Sequence, residues 1–214
     1  MKKFFNLKKI SIFIETGLIF LGFWFLLSNL KTDGVWETVF LNVLFFLVIP
    51  VFIFKRKFNL EKKDKNWKIF FQIIGFWLMF GLMFFSLREI SFLKLNYLTR
   101  MDWFLGDWWI ILFLNLFLIP VILFCQEFFF REFLLNKLVE NFSVKVALIF
   151  QAGVFTLFEM FFFEMFAWNF IVFNFILAFI LGVFYLQTKT IWYSFFMRWG
   201  LILILDGIIL YKIQ

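Results

Sequence analysis

Seven runs of about 20 predominantly apolar residues constrain this chain more than any other feature, because a helix of that length crosses the hydrocarbon core of a bilayer. They lie near 10–28, 36–54, 69–87, 108–126, 144–163, 169–187 and 191–211. The runs do not alternate apolar and polar residues as the strands of a membrane barrel do. In lipid every backbone N–H and C=O needs an internal partner, so each run is expected to be a helix. With 64% hydrophobic and 16% charged residues, the chain has too little polar surface for a soluble domain. The expected fold is all-α, a polytopic transmembrane bundle of about seven spans forming one integral membrane domain over 1–214.

The formal charge of +7 is read as a topology signal, and no nucleic-acid partner is expected. Lys2, Lys3, Lys8 and Lys9 precede the first run, and Lys55, Arg56, Lys57, Lys62, Lys63, Lys65 and Lys68 follow the second. Lys137 and Lys145 follow the fourth, and Lys189 the sixth. The positive-inside rule places these segments, with Asn136–Lys145, in the cytoplasm. The opposite loops are poorer in basic residues, although 88–107 holds Arg88, Lys94 and Arg100. The N-terminus is then cytoplasmic and the C-terminus external, in the cell membrane. No small-residue cleavage site follows the first run, which reads as an uncleaved span. The chain ends YKIQ, without a lipidation signal.

Several residues have bland readings. Cys125, the lone cysteine, is a small apolar residue in a helix. Trp103, Trp108 and Trp109 read as an interfacial belt. Gly75 and Gly81 permit close packing without a small-xxx-small pattern. Asp206 reads as interfacial, toward the outer side. The 55–68 segment is a solvated loop, with anionic lipid as a weaker option.

The absence of histidine removes the usual ligands of zinc hydrolase sites and the usual general bases. No cofactor or metal is expected, since Glu127, Glu159 and Glu164 are too scattered to signal a metal. What remains is polar residues in apolar runs, densest in the stretch CQEFFFREF, 125–133. Glu127 and Arg131 are four apart with the acid first, the favourable order for an ion pair on one helix face. An ionisable group at membrane depth costs ~3 kcal/mol or more unless paired or hydrated. The stretch is either the floor of a wet cytoplasm-facing cavity or a rim where Arg131 and Glu132 snorkel to the interface.

Gln126-Glu127-Phe128-Phe129-Phe130-Arg131-Glu132-Phe133-Leu134 resembles the Glu-Glu-x-x-x-Arg motif of the CAAX-protease and bacteriocin-processing family of intramembrane proteins. Two further segments fall in order and at suitable distances. FTLFE matches the Phe-x-x-x-His motif, with Phe155 in place and Glu159 at the histidine. LAFILGVFYLQTKTIWYSFFMRWGLI places Gly182, Tyr185, Thr188 and Trp192, then Arg198 at the second histidine and Ile202 at the asparagine. The resemblance covers 118–203 as an intramembrane-protease-like core, and 1–115 supplies N-terminal helices without a recognisable motif.

The resemblance implies that the first Glu and first His activate water on a peptide bond, and that the second His and the Asn stabilise the oxyanion. At those positions stand Gln126, Glu159, Arg198 and Ile202; Glu127 and Arg131 alone keep the family residue. An amide cannot act as general base, a loss of ~100- to 10,000-fold. Ile202 offers no oxyanion donor, a further ~3 kcal/mol. The favoured reading is a catalytically degenerate relative acting by binding: an immunity, regulatory or complex-forming protein with a membrane-protein partner or peptide ligand besides the bilayer. One alternative is an active endopeptidase using Glu127 and Glu159 as a carboxylate dyad. Another is an integral subunit of a transporter. Glu159 and Arg198 are expected to form a direct or water-bridged ion pair near Glu127 and Arg131.

Overall fold

The computed structural model describes residues 7–29, 35–53, 73–78, 108–163 and 166–213, and among them every regular element is helical. In chain order these are α1 (Leu7–Asn29), α2 (Val35–Val43, continued by wide π-helical turns over Leu44–Ile53) and a short segment, α3, at 73–78. There follow α4 (from Trp108 to Asn141), α5 (Val144–Phe163), α6 (Trp168–Thr188) and α7 (Ile191–Ile213). Among the described residues four stretches are long and apolar enough to cross a membrane: Ser11–Ser28, Leu114–Asn141, Val144–Phe162 and Trp168–Thr188. This is an all-α membrane protein. Most of the expected 69–87 span, the 55–68 and 88–107 loops, Gly81 and Trp103 lie outside the described residues.

One boundary needs correction. The fourth run was read as ending near 126, with the polar stretch at its tip and a cytoplasmic loop over 136–145. Instead α4 continues to Asn141, and the turn to α5 is only Phe142 and Ser143. Hydropathy falls at Gln126, Glu127 and Arg131, but the helix continues because those side chains bury against neighbouring helices. Asn136 and Asn141 each donate to the carbonyl four residues back. The motif therefore sits in mid-helix, and the rim reading fails: Arg131 is fully buried and Glu132 is 8% exposed.

Phenylalanine builds the core. Phe23, Phe46, Phe128, Phe129, Phe130, Phe133, Phe155 and Phe158 are buried. Their rings meet mostly edge-on or tilted, as the aromatic quadrupole favours: Phe46 to Phe158 at 5.1 Å and Phe130 to Phe155 at 4.9 Å. The wide turns of α2 and of α4 at Phe128–Leu135 pack against each other, which brings Phe46 onto Phe129. Glycine sets two close approaches. A Cβ on Gly182 would stand 2.8 Å from Leu148, so α6 lies directly on α5. A Cβ on Gly200 would stand 2.3 Å from the Trp77 ring, and Trp77 donates to the Met197 carbonyl at 3.1 Å, fixing α3 to α7. α6 ends at Lys189 in the left-handed conformation (φ 56°), whose N–H bonds the Tyr185 carbonyl at 2.7 Å.

Candidate functional site

The two-residue turn at 142–143 decides which side chains meet. Glu127 lies 14 residues before Asn141 and Glu159 lies 15 residues after Val144. At about 1.5 Å per residue both stand roughly 21–23 Å from the same turn. An antiparallel pair hinged there brings the two carboxylates to one depth. Arg198 is seven residues into α7, and α7 packs on the Ile119–Glu127 part of α4. Its long side chain reaches into the same layer.

Glu159 Oε1 accepts from Arg198 Nη2 at 2.5 Å, and Glu127 Oε1 from Arg198 Nη1 at 3.5 Å. Glu127 Oε2 stands 3.2 Å from Arg131 Nε, one turn along α4. The four groups thus form one chain of opposite charges, Arg131–Glu127–Arg198–Glu159. None is more than 5% exposed, and their formal charges cancel. Phe155, first residue of the second motif, touches both cations: its centroid is 4.7 Å from Arg198 Cζ and 5.6 Å from Arg131 Cζ. The expected direct Glu159–Arg198 pair is present. Isolated buried charges at this depth would be strongly unfavourable; in this geometry each faces an opposite charge, and an aromatic face meets both guanidinium groups.

Gln126 is not part of that chain. It points toward α2, where its Nε2 donates to Asn42 Oδ1 at 3.0 Å, while Asn42 Nδ2 donates to the Thr38 carbonyl at 2.8 Å. Asn42 is fully buried. Sequence reasoning missed it, because α2 lies outside the family frame. The signal was there: a single amide within the apolar run FLNVLFF. Ile202 is only partly buried and brings an aliphatic side chain to its position. Asp206 is 4% exposed and so is enclosed by protein. Cys125 is buried and unbridged, in line with its bland reading. Trp109 is 61% exposed on the outer surface.

A second polar cluster lies one to two turns nearer the 142–143 turn. Tyr185 donates its hydroxyl to Glu132 Oε2 at 2.5 Å and accepts from Asn136 Nδ2 at 2.6 Å, tying α6 to α4. At the end of α4, Lys137 bonds Glu15 and joins α1. Among the described residues no group of three His, Cys, Asp or Glu could hold a metal ion.

The motif residues of α4, α5 and α7 thus converge on one buried layer, in the helix order that the sequence frame required. Residues 106–203 match the family model described as type II CAAX prenyl endopeptidase Rce1-like. The segment is similar to that family over those residues. The match contains the whole core that the motifs had outlined and starts two residues before α4. α1 and α2, including Asn42, lie outside it. No curated protein and no solved structure matches the chain.

Proposed function

We propose that this Rce1-like membrane protein does not hydrolyse peptide bonds and acts by binding another membrane protein or a peptide, as an immunity, regulatory or complex-forming component of the cell membrane. The observation that carries this reading is the closed charge chain at the family's catalytic positions. A general base needs a free lone pair beside a water molecule. Glu159 directs Oε1 at Arg198, and Glu127 directs its two oxygens at two different arginines. Gln126 at the base position has no carboxylate and is held by Asn42. Ile202 brings no donor to the oxyanion position. The polar layer that supports catalysis in the family then serves here to hold α4, α5 and α7 together, leaving the outer helix faces for partners.

The topology belongs to the same proposal: the N-terminus and the 55–68 loop cytoplasmic, the C-terminus external. α1 and α2 are helices added to the core, and Asn42 makes α2 an integral part of the bundle. One observation favours the endopeptidase alternative: Glu127 and Glu159 do converge, each on Arg198. Two carboxylates at one place can divide acid and base roles. Here, however, each is engaged by a guanidinium group that would have to leave first.

Cross-linking in native membranes followed by purification of the full chain tests the binding reading. The expected result is a partner recovered at fixed stoichiometry with an intact polypeptide. Recovery only of shortened partner chains, cut at one defined bond, contradicts it.

A further inference from the structure

Gln126 stands at the family's base position, and its side chain marks the side of α4 from which such a base would work. α2 occupies that side. Gln126 is 2% exposed and donates from Nε2 to Asn42 Oδ1 at 3.0 Å. Four residues further along α2, Phe46 is fully buried, 5.0 Å from the Phe129 ring and 5.1 Å from Phe158. The wide turns that carry Phe46 and Phe129 begin at Leu44 and at Phe128, two residues after Asn42 and two after Gln126. One polar contact and a neighbouring aromatic one therefore seat α2 on α4.

The polar contact has a fixed direction. Asn42 Nδ2 donates to the Thr38 carbonyl, one turn back, at 2.8 Å. A carbonyl only accepts, so the amide nitrogen takes that side and the amide oxygen faces residue 126. Asn42 is fully buried, and an apolar surround penalises a polar group that loses its bond. The Asn42 oxygen thus selects a donor at residue 126. Glutamine supplies one. An ionised glutamate, the family's residue there, only accepts and would set oxygen against oxygen.

We propose that α2 is a built-in plug over the base-position side of α4, latched by Asn42, and that the latch requires a hydrogen-bond donor at residue 126. The amide at the base position and the asparagine outside the family segment then belong to one device. A peptide or partner reaches the residue-126 side of α4 only after α2 leaves it. Asn42 is a positioning residue that acts through Gln126. The inference concerns the seating of α2 and holds whether or not the chain cleaves peptides.

The test reads how fast Cys125 reacts with a small apolar thiol reagent, dithiodipyridine, in the full chain in detergent. Cys125 is 1% exposed and lies on Ile119–Glu127, the segment of α4 on which α2 packs. Asn42→Leu and Gln126→Met each break the latch without adding charge and raise the rate by about 5- to 30-fold, as the population with α2 unseated grows. The double variant reacts no faster than the faster single one, because both changes remove the same contact. Gln126→Glu reacts at least as fast as Gln126→Met, since the carboxylate cannot donate. Gly182→Ala strains the α5–α6 contact instead, where a Cβ would stand 2.8 Å from Leu148, and leaves the rate within about twofold of the parent. Parent-like rates in Asn42→Leu and Gln126→Met overturn the latch. An equal rise in Gly182→Ala shows general loosening and overturns it too. A parent-like rate in Gln126→Glu overturns the donor requirement. Should that variant not fold, the two neutral variants decide by the same criteria.

Discussion

The pair between Glu159 and Arg198 allows a quantitative test through a double-mutant cycle. Both groups are nearly inaccessible, at 4% and 5% exposure, and bond at 2.5 Å. Removing one partner of such a buried pair costs ~3–5 kcal/mol, because the other charge is left uncompensated, whereas removing both can be nearly neutral. The two single losses should differ. In Glu159→Gln, Arg198 keeps Glu127 at 3.5 Å and the new amide oxygen can still accept, so the loss belongs at about 2–3 kcal/mol. In Arg198→Met, Glu127 keeps Arg131 but Glu159 loses its cation, and the loss belongs at about 4–5 kcal/mol. For a chain of this size these are shifts of roughly 4–12 °C and 8–20 °C. The double variant should lose no more than the larger single loss, a coupling of at least ~2 kcal/mol. Thermal unfolding in one detergent at fixed protein concentration measures all four corners. Additivity within ~0.5 kcal/mol, or a Glu159→Gln loss exceeding that of Arg198→Met, refutes the buried pair.

Three further outcomes follow from the packing. Gly200→Ala drives a methyl group into the Trp77 ring, 2.3 Å away, and should cost about 1–3 kcal/mol of stability, read by thermal midpoint. Lys189→Gly relieves a left-handed backbone at the end of α6 and should raise stability by about 1 kcal/mol, read by thermal midpoint. Gln126→Glu restores a carboxylate at the family's base position but adds a third negative charge to a balanced layer. It should lower stability by ~3 kcal/mol and yield no peptide cleavage, checked by thermal unfolding and mass spectrometry.

The parts of this molecule that hydropathy alone decides were legible. The runs at 144–163 and 169–187 match α5 and α6 to within a residue, because their ends are marked by turns and by loss of apolar character together. The fourth run failed at its C-terminal end for the opposite reason. Gln126, Glu127, Arg131 and Glu132 lower hydropathy while remaining buried helical residues, and polarity in a sequence does not say whether a partner waits in space. The wide turns at Leu44–Ile53 and Phe128–Leu135 leave no hydropathy trace either. The Glu159–Arg198 pair was legible because the motif spacing assigned both residues to one site and their charges are opposite. Asn42 and Gln151 were missed. Each is one amide in an apolar run, and only the packed bundle shows that one meets Gln126 and the other is fully buried. The enclosure of Asp206 was missed too, since its sequence position gives depth but not the face it takes.

The proposed function puts a structural ion network in place of peptide-bond hydrolysis at the motif positions. Its most direct test is incubation of the purified full-length protein, in detergent and in lipid vesicles, with prenylated and unprenylated peptides, followed by mass spectrometry of the products. Intact peptides are expected in every sample, indistinguishable from those without protein. Cleavage at a defined bond that disappears in Glu127→Ala or Glu159→Ala, with the variants still folded, would contradict it and establish a carboxylate-based peptidase.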